Sequence, residues 1–88
     1  MNINSISDFR KAMRNGPYAW PGGYPCYFIT IDGAALSFKA AKADRRLILE
    51  AIRDRDNSGW RVVALDINYE NGDLVCDHTG EAIEAAYV

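Results

Sequence analysis

The spacing of apolar residues divides this chain into helices and strands. From Ser7 to Asn15, Phe9 and Met13 stand four apart with Ala12 alongside and Ile6 leading in, while Arg10, Lys11 and Arg14 fall on the opposite side. That is the period of a helix with one buried stripe. Ser7 and Asp8 supply a capping hydroxyl and a carboxylate for the positive end of its dipole, and Gly16-Pro17 stops it. Cys26 to Ile31 is rich in β-branched and aromatic residues; Asp32-Gly33 is a favoured two-residue type I′ turn, and Ala34 to Phe38 completes a predicted hairpin.

A helical period returns from Lys39 to about Asp56, with Ala40, Ala43, Leu47, Ile48, Ala51 and Ile52 inward. Lys42, Arg45, Arg46, Glu50, Arg53 and Asp54 point outward, and Asn57-Ser58-Gly59 ends this main helix. Trp60 to Tyr69 then alternates as a strand does. Val63, Leu65, Ile67 and Tyr69 take one face, and Trp60, Val62, Ala64, Asp66 and Asn68 take the other. Asn71-Gly72 predicts another tight hairpin into a brief strand at Leu74-Val75-Cys76, and Ala82, Ile83 and Ala86 fit one or two terminal helical turns.

The element order is α-β-β-α-β-β within one α+β domain covering 1-88. Short connections favour a mainly antiparallel sheet of three to four strands, spatial order 2-1-3-4, with two helices on one face. One-sided cover leaves Trp60, Val62 and aromatics of the first strand on the far face. The stretch from Gly16 to Pro25 holds all three prolines together with Tyr18, Trp20 and Tyr24. Two readings of that loop stay open: it folds over the far face, or it offers its aromatics to a partner.

Charge adds a second feature. All ten Lys/Arg lie at or before Arg61, where they face six Asp/Glu, and residues 62 to 88 hold six acids and no base: Asp66, Glu70, Asp73, Asp77, Glu81 and Glu84. Those carboxylates either line solvated edges and turns or form an acidic surface that seeks a basic partner. The cations of the main helix (Lys39, Lys42, Arg45, Arg46, Arg53, Arg55) invite a nucleic-acid reading, but Asp44, Glu50, Asp54 and Asp56 interleave with them and favour a solvated helix. The apolar run Val62-Val63-Ala64-Leu65 is far short of the roughly 20 residues of a membrane span, and the polar N-terminus lacks a signal-peptide h-region. A cytoplasmic location is expected, with Cys26 and Cys76 as free thiols.

Cys76-Asp77-His78 joins a thiol and an imidazole, the ligands of zinc and the parts of a nucleophilic dyad. Only Cys26 offers a third zinc ligand, no orienting third group is evident, and no phosphate cradle or calcium loop is present. No catalytic residue, metal or cofactor is expected. Partner-binding residues are expected instead: Tyr18, Trp20 and Tyr24 as anchors, and Asp66, Glu70, Asp73, Asp77, Glu81 and Glu84 as the electrostatic surface.

Through Asp8-Phe9-Arg10, the run from Asn15 to Pro25, Gly59-Trp60-Arg61-Val62-Val63 and Cys76-Asp77-His78-Thr79-Gly80, the chain resembles a family of short proteins found on bacterial plasmids and prophages. The resemblance spans nearly the whole length. It implies a non-enzymatic inhibitor, an anti-CRISPR protein of a mobile element or phage, whose acidic surface binds a type I CRISPR effector complex and blocks target DNA recognition. It carries over no catalytic residue. The alternative function is a small nucleic-acid-associated accessory protein of a plasmid or phage that uses the basic main helix.

Overall fold

The computed structural model describes residues 1–87. Helix α1 (Ile6–Asn15) leads through β1 (Tyr18–Ala19) to the central strand β2 (Tyr24–Thr30), then β3 (Ala35–Leu36), helices α2 (Phe38–Ala43) and α3 (Arg45–Asp54), and β4 (Val62–Ile67). The sheet is antiparallel and open. β4 occupies one edge of β2 from Cys26 to Thr30, while β1 and β3 pair with opposite ends of β2 along its other edge. The α+β class and the predicted central position of the Cys26 strand, between the Ala35 and Val62 strands, are both present.

The fourth strand differs from the expectation. Met1 to Ile3 run along the free edge of β4, through Leu65 N–H to Met1 O at 2.8 Å and Ile3 N–H to Val63 O at 2.9 Å. Leu74 to Cys76 lie instead outside β3, where Asp77 N–H reaches Ala35 O at 2.8 Å. The diversion starts at Asn68. Its Nδ2 donates to Asn71 O at 3.0 Å and Glu84 O at 3.1 Å, and its Oδ1 accepts from Asn71 N–H at 3.1 Å. A buried amide with those partners ends the strand and ties the turn after it to the C-terminal segment, so Asn71-Gly72 does not close a hairpin onto β4. The segment 81–87 forms no helix; Val75 bridges to Ala82 instead.

All three helices share one core with the sheet. Phe9 of α1 lies 5.3 Å from the ring of Phe28 in β2, and Phe38 of α2 lies 4.5 Å from it. Ile48 and Ile52 of α3 join them with Leu36, Val62, Cys76 and Ile83. Val62 was expected on the far face but is 1% exposed. The cause is an irregular register between Ile29 and Thr30, which sets Thr30 opposite Val62 and skips Val63. One extra residue shifts side-chain parity, so a single bulge moves Val62 to the core.

The helix ends are satisfied locally. Ser5 caps α1 by accepting from Asp8 N–H, and the Asp8 carboxylate accepts in return from Asn4 N–H, so the helix starts ahead of the expected Ser7. The main helix breaks at Asp44 into α2 and α3. Its buried stripe is Ala40, Ala41, Ile48, Ala51 and Ile52, which leaves Ala43 and Leu47 outside. Arg61, the last cation of the chain, donates from Nη1 to Arg55 O at 3.2 Å and Asp56 O at 3.4 Å, placing a positive charge at the negative end of α3. Asp32-Gly33 closes through a three-residue loop: Thr30 N–H meets Ala34 O and Gly33 N–H meets Thr30 O, each at 2.9 Å, with Gly33 in the left-handed region. Among the described residues no helix is long and apolar enough to cross a membrane.

Candidate partner-binding surface

The Pro/Gly loop does not cover the sheet with its tryptophan. Trp20 is 78% exposed, and its ring lies against Gly23, where a Cβ would stand 3.4 Å from the indole. Gly22 is under a comparable demand: its φ is +108° and a Cβ there would sit 2.6 Å from Tyr24 Cε2. Two consecutive glycines in the left-handed half of φ space let the chain reverse closely enough for Trp20 and Tyr24 to pack on the loop backbone. The Trp20–Pro21 peptide is cis.

Beside Trp20 runs a shallow apolar groove. One part, about 420 Å³, is lined by Asn15, Gly16, Tyr18, Ala19, Trp20, Cys26 and Leu65. A second, about 220 Å³, shares Ala19, Cys26 and Leu65 and adds Met1, Asp66 and Ile67. The first part lies beside the C-terminal end of α1, at Asn15 and Gly16. Tyr24 belongs to a separate aromatic group, with Tyr69 at 5.5 Å and Tyr87 at 6.1 Å between ring centroids. Tyr87 Oη donates to Tyr24 Oη at 3.3 Å, and this bond is the main reason the Tyr87 hydroxyl titrates higher than usual.

The six carboxylates of the last third divide into groups. Asp66 borders the apolar groove, Glu70 follows Tyr69 of the aromatic group, and Glu84 accepts from Tyr18 Oη at 2.8 Å. That hydrogen bond, then the charge of Glu84, raise the Tyr18 pKa. Asp66 and Glu84 thus touch the surroundings of the aromatic loop, and Glu70 adjoins them through its chain neighbour Tyr69. Asp77 stands beyond β3, at least about 14 Å or three strand spacings from Asp66. Glu81 faces Lys39 at 3.6 Å in an exposed ion pair, and Asp73 sits on the turn stabilised by Asn71 Oδ1. Asp66 and Asp77 therefore lie on opposite sides of the sheet's central strand, Glu81 is drawn toward Lys39, and Glu84 is engaged by Tyr18.

Cys76 and His78 are engaged separately. Cys76 is 0% exposed, and Ser37 N–H meets its Sγ at 3.4 Å. Burial pushes the thiol pKa up, but hydrogen bonds from Ser37 and Thr79 outweigh it and leave the pKa below the ordinary value. Cys26 shows the opposite balance, with burial dominant and the pKa raised. The His78 ring stacks edge-on against Trp60 at 4.3 Å, with Nδ1 buried and without a hydrogen-bond partner. Asp32 lies nearby; a hydrogen bond from Thr30 Oγ1 chiefly lowers its pKa, helped by Ala34 N–H and the His78 charge. Among the described residues no group of three or more His, Cys, Asp or Glu converges to hold a metal ion.

Sequence reasoning missed Tyr69, Tyr87, Met1 and Leu65 as neighbours of the loop. Tyr69 carried a signal, because it ends the alternating Val63-Leu65-Ile67 series whose face meets Cys26. Met1 carried none, since its place depends on the chain terminus pairing with β4. Compared with known proteins, the chain matches no family model, no curated protein and no solved structure.

Proposed function

We propose that this protein acts by binding rather than by turnover, as an inhibitor that docks on a basic protein surface through the Trp20 loop and the acids beside it. The observation that carries this reading is Trp20, an indole 78% exposed yet packed on Gly23 within a folded loop. A large side chain held before contact loses little entropy on docking, and Trp is enriched among residues that dominate interface energetics. The groove beside it gives an apolar centre, with Asp66 on its lining and Glu84 held by Tyr18 at its border, and Glu70 adds a third negative charge from just past the end of β4. Such charges steer a cationic partner, an effect that weakens with salt. The resemblance to short plasmid and prophage proteins, carried by Asp8-Phe9-Arg10, the run from Asn15 to Pro25, Gly59 to Val63 and Cys76 to Gly80, suggests a type I CRISPR effector complex as that partner, bound so that target DNA recognition is blocked.

The test is binding of the purified protein to an immobilised type I effector complex at two salt concentrations. Trp20→Ala is expected to weaken binding by about 30-fold or more. Joint replacement Asp66→Asn, Glu70→Gln and Glu84→Gln should slow association and flatten the salt dependence, while Asp77→Asn changes little. Absence of binding by the wild-type protein at micromolar concentration refutes the choice of partner. Binding indifferent to Trp20→Ala refutes the site.

A further inference from the structure

A second surface lies away from the Trp20 loop. Between α1 and the junction of α2 with α3 runs a groove of about 350 Å³ lined by Arg10, Arg14, Lys42 and Arg45, with Met13 the one apolar residue among them. All four cations are exposed. Among the described residues none of the four takes part in an ion pair; the basic members of the ion pairs present are Lys39, Arg46 and Arg53. The sequence from Phe9 to Arg46 contains seven Lys/Arg against two acids, Asp32 and Asp44, and neither acid lines the groove.

Folding does not account for this arrangement. Arg10 and Arg14 are like charges at i,i+4, which oppose helix formation, and the fold brings a second like-charged pair, Lys42 and Arg45, against them. Cations on both lips of a concave site, with no carboxylate between them, instead make a focused positive field. Three of the four are Arg, whose planar fork of donors matches phosphate oxygens. Four residues of helix rise separate Arg10 from Arg14 by about 6 Å along the axis, so each can meet a different phosphate of one strand. The four cations line a concavity rather than a flat face, and a flexible single strand can bend into it so that its phosphates meet both walls, whereas a stiff duplex would span the rim. A flat anionic surface would not engage both lips.

We propose that this groove binds the backbone of single-stranded nucleic acid, without reading its sequence, through Arg10, Arg14, Lys42 and Arg45. The surface differs from the basic helix face that the sequence suggested, because Arg46 and Arg53 are drawn into ion pairs while two cations of α1 join in. It also differs from the Trp20 surface, so either assignment stands or falls alone.

Fluorescence anisotropy with a labelled 20-nucleotide single strand of mixed sequence tests it, with the same sequence as a duplex and a polyglutamate chain as competitors. Four phosphate contacts predict a slope of log K against log salt of about −3, equivalent to about a 50-fold loss of affinity between 50 and 200 mM salt. Arg14→Gln with Lys42→Gln should roughly halve that slope, with circular dichroism confirming an unchanged fold, whereas Arg46→Gln with Arg53→Gln should leave it in place. The proposal is overturned by no binding at 100 μM protein in 50 mM salt, by equal losses in both variants, or by competition from duplex or polyglutamate as strong as from the unlabelled single strand.

Discussion

Replacing Asn68 by Ala should remove the tie between the end of β4 and the C-terminal segment. Asn68 is 4% exposed, and its side chain makes three hydrogen bonds of 3.0–3.1 Å, to Asn71 O, Glu84 O and Asn71 N–H. A fourth contact, to Ile83 O at 3.5 Å, is long enough to be given no weight. At about 1 kcal/mol net for each bond, less about 0.5–1 kcal/mol of side-chain entropy released by truncation, Asn68→Ala should cost about 2–2.5 kcal/mol. That is a large share of the roughly 4–13 kcal/mol expected for a domain of this length. The urea midpoint should fall by about 1–3 M, and Tm by about 10–20 °C. Asn68→Asp, nearly isosteric, keeps the acceptor for Asn71 N–H but turns a carboxylate oxygen toward two carbonyls, so it should cost at least as much near neutral pH and recover in acid as protonation restores a donor. Hydrogen exchange locates the effect. The amides of Ala86 and Tyr87, bonded to Asn68 O at 3.0 Å and Tyr69 O at 2.7 Å, should lose more protection than those of α1. If both variants unfold within 0.5 kcal/mol of wild type, Asn68 does not hold the segment, and the account of why β4 ends there is wrong.

Two other measurements test the fold at separate points. Val62→Ala should destabilise by about 1.5–3 kcal/mol, from two buried methyl groups and the cavity they leave, and Val63→Ala by less than about 1 kcal/mol; equal losses in urea unfolding would mean that the register irregularity does not place Val62 in the core. Thr30→Val removes the hydrogen bond that chiefly holds the Asp32 pKa below its ordinary value. A depressed carboxylate pKa contributes stability that is present above the unfolded-state value near 4 and disappears as pH falls through the lower folded-state value. The urea midpoints of Thr30→Val and wild type should therefore differ most above the unfolded carboxylate range and converge as pH falls well below it, while curves that stay parallel throughout would exclude Asp32 as the linked group.

The charge map acquires a different meaning once the chain is folded. Along the sequence it is a boundary at Arg61, cations before and acids after. In space, Arg61 closes the end of α3, Glu81 pairs with Lys39, and Glu84 is engaged by Tyr18. Two local groupings stand out among the charges left. Asp66 and Glu70 stand with the aromatics, and Arg10, Arg14, Lys42 and Arg45 face one another across a groove. Folding thus redistributes a charge boundary that is sharp along the sequence.

Element type was legible from spacing for α1, the Cys26 strand and the α3 stripe, but not for the terminal segment, expected as helix and found without one. The Phe9/Ala12/Met13 stripe, the Cys26 to Ile31 run and the Ile48/Ala51/Ile52 stripe state how each segment buries its apolar side, and that is a local property of a few consecutive residues. The antiparallel order around the Cys26 strand followed from short connections. Three things depended on contacts between residues far apart in sequence: the bulge that turned Val62 inward, the Asn68 network that sent Leu74 to Cys76 to the other edge, and the pairing of Met1 to Ile3 with β4. The same holds for function. Aromatics and charges could be counted in the sequence, but whether Trp20 is covered or offered, and which cations converge, is decided only when helices and strands pack, because exposure and electric field belong to the assembled surface rather than to the order of residues.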